Sequence, residues 1–246
     1  MRFSSLHGLF HEVFFADSIN YIDVFRLTRY YYPKKRPLFG FAKREVYTAT
    51  VDISVEPDIF FSNFKKNTRY EINRAKREGI AFAIEEDIDL FFQYYNEFAK
   101  SKNLEPLLYQ TLYKYREHMI ITKAVKDNQV LAMHVHLYNS EIAMLLYSAS
   151  LFRKVSDNRL KNMIGYANRM LHYEEMLYFK KLGCKTYDFG GYGYNTKDPV
   201  EQKINHFKNS FACIPKQRYI YTSYMLELFL FGKNILQKFG FKSAKL

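Results

Sequence analysis

The 246-residue sequence lacks the features that mark several specialised classes of protein. Its two cysteines, Cys184 and Cys213, are too few for a disulfide framework and belong to no cluster of metal ligands, which predicts a reducing compartment. No stretch of about 18 apolar residues occurs, so we expect no membrane-spanning helix. The first 15 residues contain charged and polar side chains in place of a long apolar run, so we expect no secretory signal peptide.

Glycine and proline are sparse, at ten and six residues, and the sequence has no internal repeat or low-complexity tract. It therefore predicts no long flexible hinge. Tryptophan is absent, but tyrosine and phenylalanine together reach 18% of the chain, and 48% of all residues are hydrophobic. This much apolar surface can offset the entropy of ordering, and the length fits one large domain or two small ones.

Acidic residues are outnumbered, since 37 lysines and arginines against 25 aspartates and glutamates give a formal charge of +12. This excess favours an anionic partner, such as a phosphate, a nucleotide, a nucleic acid or an anionic lipid. The basic side chains cluster in three places, at residues 34–36, 65–77 and 153–161. Each cluster is a candidate contact for phosphate, and each is also explained by a solvated surface.

The hydrophobic pattern predicts alternating helices and strands, and thus an α+β fold with a mixed sheet flanked by helices. The predicted strands span residues 44–55, 80–86, 119–126, 129–138, 141–150, 184–191 and 217–224. The predicted helices span residues 57–79, 87–103, 106–118, 160–182, 199–210 and 224–239. The turns KDNQ and YNSE make the three central strands an antiparallel meander.

A strand followed by a basic, glycine-containing segment and a helix predicts an anion site within residues 150–167. There Asn162, Gly165 and Ala167 have the spacing N-x-x-G-x-A, and Arg159 is one of the basic residues around them. Glycine lets a phosphate approach, and free backbone N–H groups at a helix N-terminus bind it. Alternatively, the segment is a solvated basic loop in which Gly165 allows close helix packing. The spacing resembles Q/R-x-x-G-x-G/A, the acyl-CoA pyrophosphate loop of the GNAT acyltransferase superfamily, with Asn162 in place of the first residue.

Three separated motifs resemble the Fem-type branch of the same superfamily, the peptidyltransferase-like proteins of cell-wall biosynthesis. Residues 169–191, RMLHYEEMLYFKKLGCKTYDFGG, resemble the branch's aromatic-containing helix and a following strand that ends Y-D-F-G-G. Residues 204–211, INHFKNSF, resemble its I-x-x-F-K-x-x-F pattern. Residues 60–80, FFSNFKKNTRYEINRAKREGI, resemble its helix that ends T-R-x-x-I-x-x-A-x-x-x-G. The motifs follow the family's order across roughly residues 48–220.

The resemblance implies a GNAT-like fold and an N-acyltransferase that acts on an amine, in an amino sugar or another cell-envelope precursor. Fem-type relatives take aminoacyl groups from charged tRNA, whereas other proteins of this broad type use acyl-CoA. The chain is too short for two GNAT units with a helical arm, and it contains the loop-like segment 162–167. We therefore expect an acyl-CoA donor such as acetyl-CoA and no metal, with aminoacyl-tRNA as the alternative donor. The expected acceptor is a small molecule, nucleotide-linked or lipid-linked, and the expected location is the cytoplasm or the inner face of the membrane.

We expect one GNAT-like domain over residues 1–246, with an N-terminal extension at 1–45, an acyltransferase core at 46–222 and an amphipathic C-terminal helix at 223–246. That helix fits either peripheral docking on an anionic membrane surface or packing over the sheet. Arg69, on the basic helix 57–79, is a candidate contact for a phosphorylated acceptor or for tRNA; the alternative is a solubilising surface. The basic segments also support a competing hypothesis, a non-catalytic binder of nucleic acid or of an anionic surface.

Asp188 and Lys208 are the first catalytic candidates. Asp188 ends a buried strand before Gly190 and Gly191, where the missing side chains let a ligand approach the backbone. Its carboxylate can orient or deprotonate an attacking amine, or it can cap the following turn. Lys208 lies beside an apolar helix face that includes Phe207, where it can neutralise an oxyanion or a phosphate, or else extend to solvent. The resemblance implies the catalytic role for Lys208.

His134 and His136 alternate on one predicted strand, so both point to the same face of the sheet. No third and fourth metal ligands follow at suitable spacing. The two histidines can line the acceptor cleft, with His136 as general base, or lie on a half-exposed polar face. Tyr194 follows the glycine pair, and a tyrosine near this place in the superfamily often protonates the leaving thiolate. Glu174 falls on an apolar helical stripe, where a carboxylate needs a partner or a function; we favour a structural ion pair.

Overall fold

The computed structural model describes residues 1–5 and 8–238. The chain forms two compact units: Met1–Tyr47 with Gln217–Leu246 is the first unit, and Thr48–Lys216 is the second unit. The domain boundaries predicted at residues 45 and 222 stay a prediction, and positions 239–246 of the predicted C-terminal segment lie outside the described residues. Among the described residues, none of the helices combines the length and the hydropathy that a membrane span needs.

Ten strands and seven helices make up the described chain. The strands are β1 (Arg2–Ser5), β2 (Phe10–Phe14), β3 (Leu27–Tyr31), β4 (Phe41–Asp52), β5 (Ala81–Glu85), β6 (Met119–Lys126), β7 (Gln129–Tyr138), β8 (Ile142–Ala149), β9 (Thr186–Gly191) and β10 (Ile214–Ser223). The helices are α1 (Pro57–Asn63), α2 (Lys66–Arg77), α3 (Ile88–Ser101), α4 (Tyr109–Tyr113), α5 (Asn158–Lys181), α6 (Pro199–Asn209) and α7 (Tyr224–Lys238). Two short 3₁₀ helices span Tyr21–Phe25 and Phe152–Lys154.

The structure corrects the predicted elements in three places. β1, β2 and β3 lie in the segment 1–45, for which the sequence pattern predicts no strand. The single helix predicted at 57–79 is two helices, because Phe64 and Lys65 have extended backbone with ψ of 149° and 144°. The helix predicted at 106–118 is helical only over α4, whose N-terminus has no side-chain cap.

The first unit places β1, β2, β3 and β10 side by side. β2 and β3 are parallel, whereas β1 with β2 and β3 with β10 are antiparallel. Val13, Tyr30 and Tyr221 belong to its apolar core. Buried Asp23 accepts a hydrogen bond from the Tyr30 hydroxyl and pairs with Arg2. A buried carboxylate is tolerated here because these donors neutralise and hydrogen-bond it.

The second unit contains a mixed sheet with the strand order β4-β9-β8-β7-β6-β5. β8 and β9 are parallel, and the other neighbouring strands are antiparallel. α1, α2 and α5 pack on one face, and α3 and α4 pack on the other. Successive side chains of β7 point to opposite faces of the sheet. His134 and His136 face α5, whereas Met133 and Val135 pack with α3. This arrangement confirms the predicted α+β fold with a mixed sheet.

The parallel strands β8 and β9 separate after a short paired stretch. Their pairing ends at Met144 and Asp188, although both strands continue. β8 also carries a bulge, because its register against β7 shifts between Leu145 and Tyr147 and leaves Leu146 as an extra residue. A bulged residue is freed from the ladder, and bulges often lie beside functional sites. The separation and the bulge together open one end of the sheet.

Candidate active site

A cleft of about 660 Å³ lies where β8 and β9 separate. Its lining comes from α3, β8, the second 3₁₀ helix, α5, the end of β9 and α6: Phe98, Lys102, Leu145, Leu146, Ser148, Ser150, Arg153, Asn168, His172, Phe189, Gly190, Gly191, Val200, Lys203, Ile204, Phe207 and Lys208. This volume suits a small molecule or the reacting end of a larger substrate. Gly190, Gly191, Phe207 and Lys208 are thus brought together from the two predicted motifs.

The cleft is electropositive. Four of its lining side chains are cationic, Lys102, Arg153, Lys203 and Lys208, and none of the lining residues is acidic. Burial, assisted by the charge of Arg153, lowers the pKa of Lys102. A cleft lined by charges of one sign concentrates ligands of the opposite sign. This cleft therefore favours a substrate that carries phosphate or carboxylate.

Lys208 lies at the β9 end of the cleft and is only 9% exposed. Its Nζ donates a hydrogen bond to the carbonyl oxygen of Gly191. Burial lowers the pKa of Lys208, and the nearby Asp188 carboxylate opposes this by favouring the charged ammonium. Asp188 is fully buried, and its Oδ1 accepts a hydrogen bond from the Gly190 N–H at 2.7 Å. Asp188 thus caps the turn, which is one of its two predicted roles.

Gly190 is a position that requires glycine. Its φ is +74°, and a Cβ built there would lie 3.3 Å from the carbonyl oxygen of Leu145 on β8. A left-handed backbone is costly for residues with a side chain, and a Cβ at this distance would crowd the Leu145 carbonyl. Glycine at position 190 therefore lets the end of β9 pass the Leu145 carbonyl at the edge of the cleft.

Behind the cleft, a fully buried carboxylate, Glu175 on α5, links the helix to the sheet. Its Oε1 accepts hydrogen bonds from the Thr122 hydroxyl and from His134 Nδ1, the latter at 2.8 Å, and its Oε2 accepts one from the Tyr187 hydroxyl at 2.6 Å. Burial alone would raise the pKa of this carboxyl. The charges of His134 and His136 and the hydrogen bonds outweigh burial and hold the pKa of Glu175 well below its usual value.

His172 connects this network to the cleft. Its Nδ1 lies 2.8 Å from the Tyr187 hydroxyl oxygen and 3.4 Å from Glu175 Oε2. Because the Tyr187 hydroxyl donates to Glu175, its oxygen accepts from His172 Nδ1–H, which leaves Nε2 as the acceptor nitrogen. Burial, assisted by the charge of His134, lowers the pKa of His172 to about 3. The imidazole that lines the cleft is therefore neutral at physiological pH.

The same cluster contains the residue types of a metal site. His134, His172 and Glu175 offer ligand atoms that lie within 4.8 Å of one another, and all three residues are buried. Histidine nitrogen and carboxylate oxygen are ligands that zinc accepts. However, both oxygens of Glu175 already accept hydrogen bonds from the side chains of the sheet. The geometry is that of a satisfied hydrogen-bond network that joins β6, β7 and β9 to α5.

The structure corrects the predicted anion site. Asn162, Gly165 and Ala167 lie inside α5, where the backbone N–H groups bond within the helix, and Ala167 is fully buried. At the true N-terminus of α5, the Asp157 carboxylate accepts hydrogen bonds from the Arg159 N–H and the following N–H. The protein's own anion thus occupies this helix end. A Cβ on Gly165 would meet nothing within 4 Å, so close helix packing does not explain the glycine either.

His134 and His136 are fully buried between β7 and α5, which corrects the prediction that they line the acceptor cleft or form a half-exposed face. Burial lowers the pKa of His136 to about 4, and its Nε2 lies 3.0 Å from the Tyr187 hydroxyl. His134 Nε2 lies 3.0 Å from the side-chain amide of Asn168, which does line the cleft. Strand periodicity correctly places both histidines on one face, but it cannot show their partners on α5.

Three further candidates lie outside the cleft lining. The Arg69 guanidinium donates hydrogen bonds to two backbone carbonyls at the end of α1 and so joins α1 to α2. Tyr194 is 52% exposed and lies beside a second cavity of about 320 Å³. Glu174 forms an ion pair with Lys76 at 2.6 Å, which confirms its predicted structural role. Its neighbour Glu175 is the fully buried carboxylate, and the sequence reasoning missed it.

No protein-family model and no curated protein sequence matches the chain. Solved structures do match. FemX superposes with a TM-score of 0.65 and 11% identity, over 90% of this chain and 83% of that chain. The C-terminal domain (DUF2156) of a lysylphosphatidylglycerol synthetase from Agrobacterium fabrum superposes with a TM-score of 0.59 and 14% identity, over 96% of this chain and 85% of that chain. L-PGS from Bacillus licheniformis superposes with a TM-score of 0.54 and 13% identity, over 90% of this chain and 83% of that chain.

At these identities the likeness concerns the fold, and the fold agrees with the geometry above. The chain therefore shares its fold with FemX, with the Agrobacterium fabrum domain and with L-PGS.

Proposed function

We propose that the chain is an aminoacyltransferase, which moves an aminoacyl group from charged tRNA to an amine of a cell-envelope precursor bound in the cleft. The lining of the cleft carries this proposal. Four cations and the neutral imidazole of His172 meet where β8 and β9 separate. Acyl transfer from a phosphate-bearing substrate needs these groups. Cations bind the phosphates, a hydrogen-bond donor stabilises the oxyanion, and a hydrogen-bond acceptor binds the N–H of the attacking amine.

Lys102, Arg153 and Lys203 are the proposed contacts of the donor's terminal phosphates. All three line the cleft, and no carboxylate in the lining competes for them. Charge-assisted hydrogen bonds to phosphate are stronger than neutral ones. Phe207 offers a ring for stacking against the terminal base, with the guanidinium of Arg169 on the ring at 5.0 Å. The donor would thereby be held by its last nucleotides, with its ester near β9.

The proposed reaction is aminolysis of an ester. The acceptor nitrogen attacks the ester carbonyl carbon, a C–N bond forms and the carbonyl oxygen gains negative charge. Lys208 stabilises this oxyanion, together with the backbone N–H at the Leu146 bulge. The C–O bond to the tRNA ribose then breaks, and the ribose oxygen leaves with the proton that the nitrogen loses. Asp188 is a positioning residue, since it favours the charged form of Lys208 and holds the turn at Gly190.

His172 takes the place proposed from sequence for His136. Its Nε2 accepts a hydrogen bond from the attacking amine and so directs the nitrogen lone pair at the carbonyl carbon. Tyr187 fixes its Nδ1–H, and Glu175 in turn fixes the Tyr187 hydroxyl. With a pKa of about 3, the imidazole keeps its Nε2 lone pair available at every physiological pH. Because Tyr187 and Glu175 hold the imidazole in place, His172 can orient the amine without first changing its own position.

Two observations favour an aminoacyl ester over acyl-CoA as the donor. The segment expected to bind the pyrophosphate of CoA is helix interior, and the Asp157 carboxylate occupies the N-terminus of that helix. One matching structure belongs to a protein whose name states that it makes lysylphosphatidylglycerol, a lipid that carries an aminoacyl group. Acyl-CoA is the alternative donor, because its phosphates would also be attracted to the cationic lining.

Transfer to hydroxylamine tests the proposal without knowledge of the natural acceptor. Purified protein is mixed with bulk tRNA charged with radiolabelled amino acids, and the formation of aminoacyl hydroxamate is followed. We expect the protein to accelerate hydroxamate formation and Lys208→Met to reduce the acceleration by about 100-fold, the usual scale for a lost oxyanion donor. Lys181→Met, at an exposed lysine near the end of α5, is the matched control and should retain the full rate.

Two results would count against the proposal. Release of free thiol from acetyl-CoA, with charged tRNA left intact, would replace the aminoacyl donor with acyl-CoA. Unchanged hydroxamate formation in the Lys208→Met protein would remove Lys208 from the mechanism. Both proteins need the same urea midpoint, so that a folding defect is not mistaken for a loss of chemistry.

A further inference from the structure

Large apolar side chains are exposed on three segments of the first unit. Leu38 is 87% exposed, Phe25 is 82% exposed and Phe231 is 65% exposed. Further exposed apolar residues accompany them: Ile22, Phe39, Met225, Leu228 and Phe229. Single exposed hydrophobic residues are ordinary, but a group of this size on one small unit marks an interaction surface.

The three segments lie against one another. The rings of Tyr21 and Phe39 stack with their centroids 5.1 Å apart, and the Leu38 N–H donates to the Tyr21 hydroxyl at 3.0 Å. Helix α7 packs against the same 3₁₀ helix, and the Tyr224 N–H donates to the Gly40 carbonyl at 3.2 Å. Residues 21–25, 38–39 and 224–235 therefore form a single apolar surface.

Helix α7 gives this surface most of its length. Of its described side chains, only Leu226 is fully buried, although the helix is rich in leucine and phenylalanine. The Leu226 N–H donates a hydrogen bond to the Ser223 hydroxyl at 3.3 Å, which anchors the start of the helix. The helix is thus held at one residue while its apolar side chains face outward. A helix with this distribution is stable when a second apolar phase covers it.

The charge of the first unit identifies that phase. The unit contains 13 of the 37 lysines and arginines but only 5 of the 25 aspartates and glutamates, and so carries +8 of the formal +12. Two of these acids are paired within the unit, Asp23 with Arg2 and Asp17 with Lys34. Lys35 and Arg36 are exposed three and two residues before Leu38. Cations at the border of an apolar surface match an anionic lipid bilayer, whose headgroups carry phosphate above an apolar interior.

We propose that this apolar surface docks on an anionic lipid bilayer, with the side chains of Phe25, Leu38 and Phe231 entering the headgroup and acyl boundary. A nucleic acid would also attract the cations, but it would not cover side chains as apolar and as exposed as these. The proposal does not depend on the reaction in the second unit. It predicts that binding needs both the apolar residues and the anionic lipid.

Vesicle flotation tests the proposal. The full chain is mixed with vesicles of phosphatidylcholine, with or without phosphatidylglycerol, at low salt and at about 0.5 M salt, where charges are strongly screened. We expect binding to the vesicles that contain phosphatidylglycerol and weaker binding at high salt. The triple variant F25S/L38S/F231S should bind at least about tenfold more weakly. The control I59S/L104S removes two exposed apolar residues of the second unit, 52% and 49% exposed, and should bind as the natural chain does.

Several outcomes would overturn the proposal. One is the absence of binding to phosphatidylglycerol vesicles, and another is equal binding by the triple variant. A stable dimer that the triple variant converts to a monomer would assign the surface to a second copy of the chain. Loss of bulk tRNA binding in the triple variant, with vesicle binding retained, would assign the surface to RNA. A urea midpoint equal to that of the natural chain shows that the triple variant is folded, because all three residues are exposed.

Discussion

Replacement of Glu175 by leucine should strongly destabilise the second unit. Leucine is similar in volume, but it leaves the Thr122 hydroxyl, the His134 Nδ1–H and the Tyr187 hydroxyl without their acceptor. Each buried donor without a partner costs about 1–3 kcal/mol, and costs within one network do not simply add. We therefore expect a loss of about 3–5 kcal/mol in the free energy of unfolding, the range for breaking a buried ionic network.

Two further variants give this prediction its scale. Glu175→Gln retains one carbonyl oxygen but turns an amide N–H₂ toward groups that donate, so we expect a smaller loss of about 2 kcal/mol. Glu174→Gln removes only a half-exposed ion pair with Lys76 and should cost less than about 1 kcal/mol. Urea unfolding followed by far-ultraviolet circular dichroism at neutral pH measures all three. A loss for Glu175→Leu no larger than that for Glu174→Gln would refute the reasoning.

Three other predictions concern glycine and pH. Gly165→Ala should raise the free energy of unfolding by about 0.5–1 kcal/mol and leave transfer unchanged, because the position is helical and open; a loss of transfer would restore its predicted binding role. Gly190→Ala should lower the free energy of unfolding by about 1–3 kcal/mol, because the φ of Gly190 is +74° and a Cβ there would crowd the Leu145 carbonyl. An unchanged urea midpoint would contradict this. Burial lowers the pKa values of His136 and His172 to about 4 and about 3 in the folded chain, whereas a histidine of the unfolded chain has a pKa near 6.5. Below pH 6.5 the unfolded chain therefore binds more protons than the folded chain. Stability should therefore fall as the pH drops from about 6.5 to 4, by roughly 1.4 kcal/mol per pH unit for each histidine, and a flat profile would disprove the assignment.

The fold was accessible from sequence because its signals are local. Strand alternation, the KDNQ and YNSE turns and the glycines that follow α2 and α5, Gly79 and Gly183, place most of the second unit within a few residues. Gly190, Gly191, Phe207 and Lys208, which the two motifs single out, line one cleft. The sequence pattern does not predict β1, β2 and β3 because each is only four or five residues long, and β3 in addition pairs with the distant β10.

The site was only partly accessible because its parts meet across the sheet. Glu174 and Glu175 are adjacent and both acidic, and helical periodicity singles out the one that pairs with Lys76 at the surface. The buried one is identified by His134 and Tyr187, which come from two different strands. The anion site predicted at the N-x-x-G-x-A segment was wrong for a different reason. The spacing of its residues is local, but their backbone N–H groups are free to bind an anion only if α5 begins at this segment. Asp157 starts the helix early and puts Gly165 two turns inside.

A crystal structure with a non-hydrolysable donor analogue tests the central claim most directly. The probe is a 3′-aminoacyl adenosine in which an amide replaces the ester. We predict that it binds in the cleft between β8 and β9, with its carbonyl oxygen in hydrogen-bonding distance of Lys208 Nζ and its amino acid side facing His172. An analogue bound outside this cleft, or a pantetheine chain of CoA lying between β8 and β9 where the ester should be, would contradict the account.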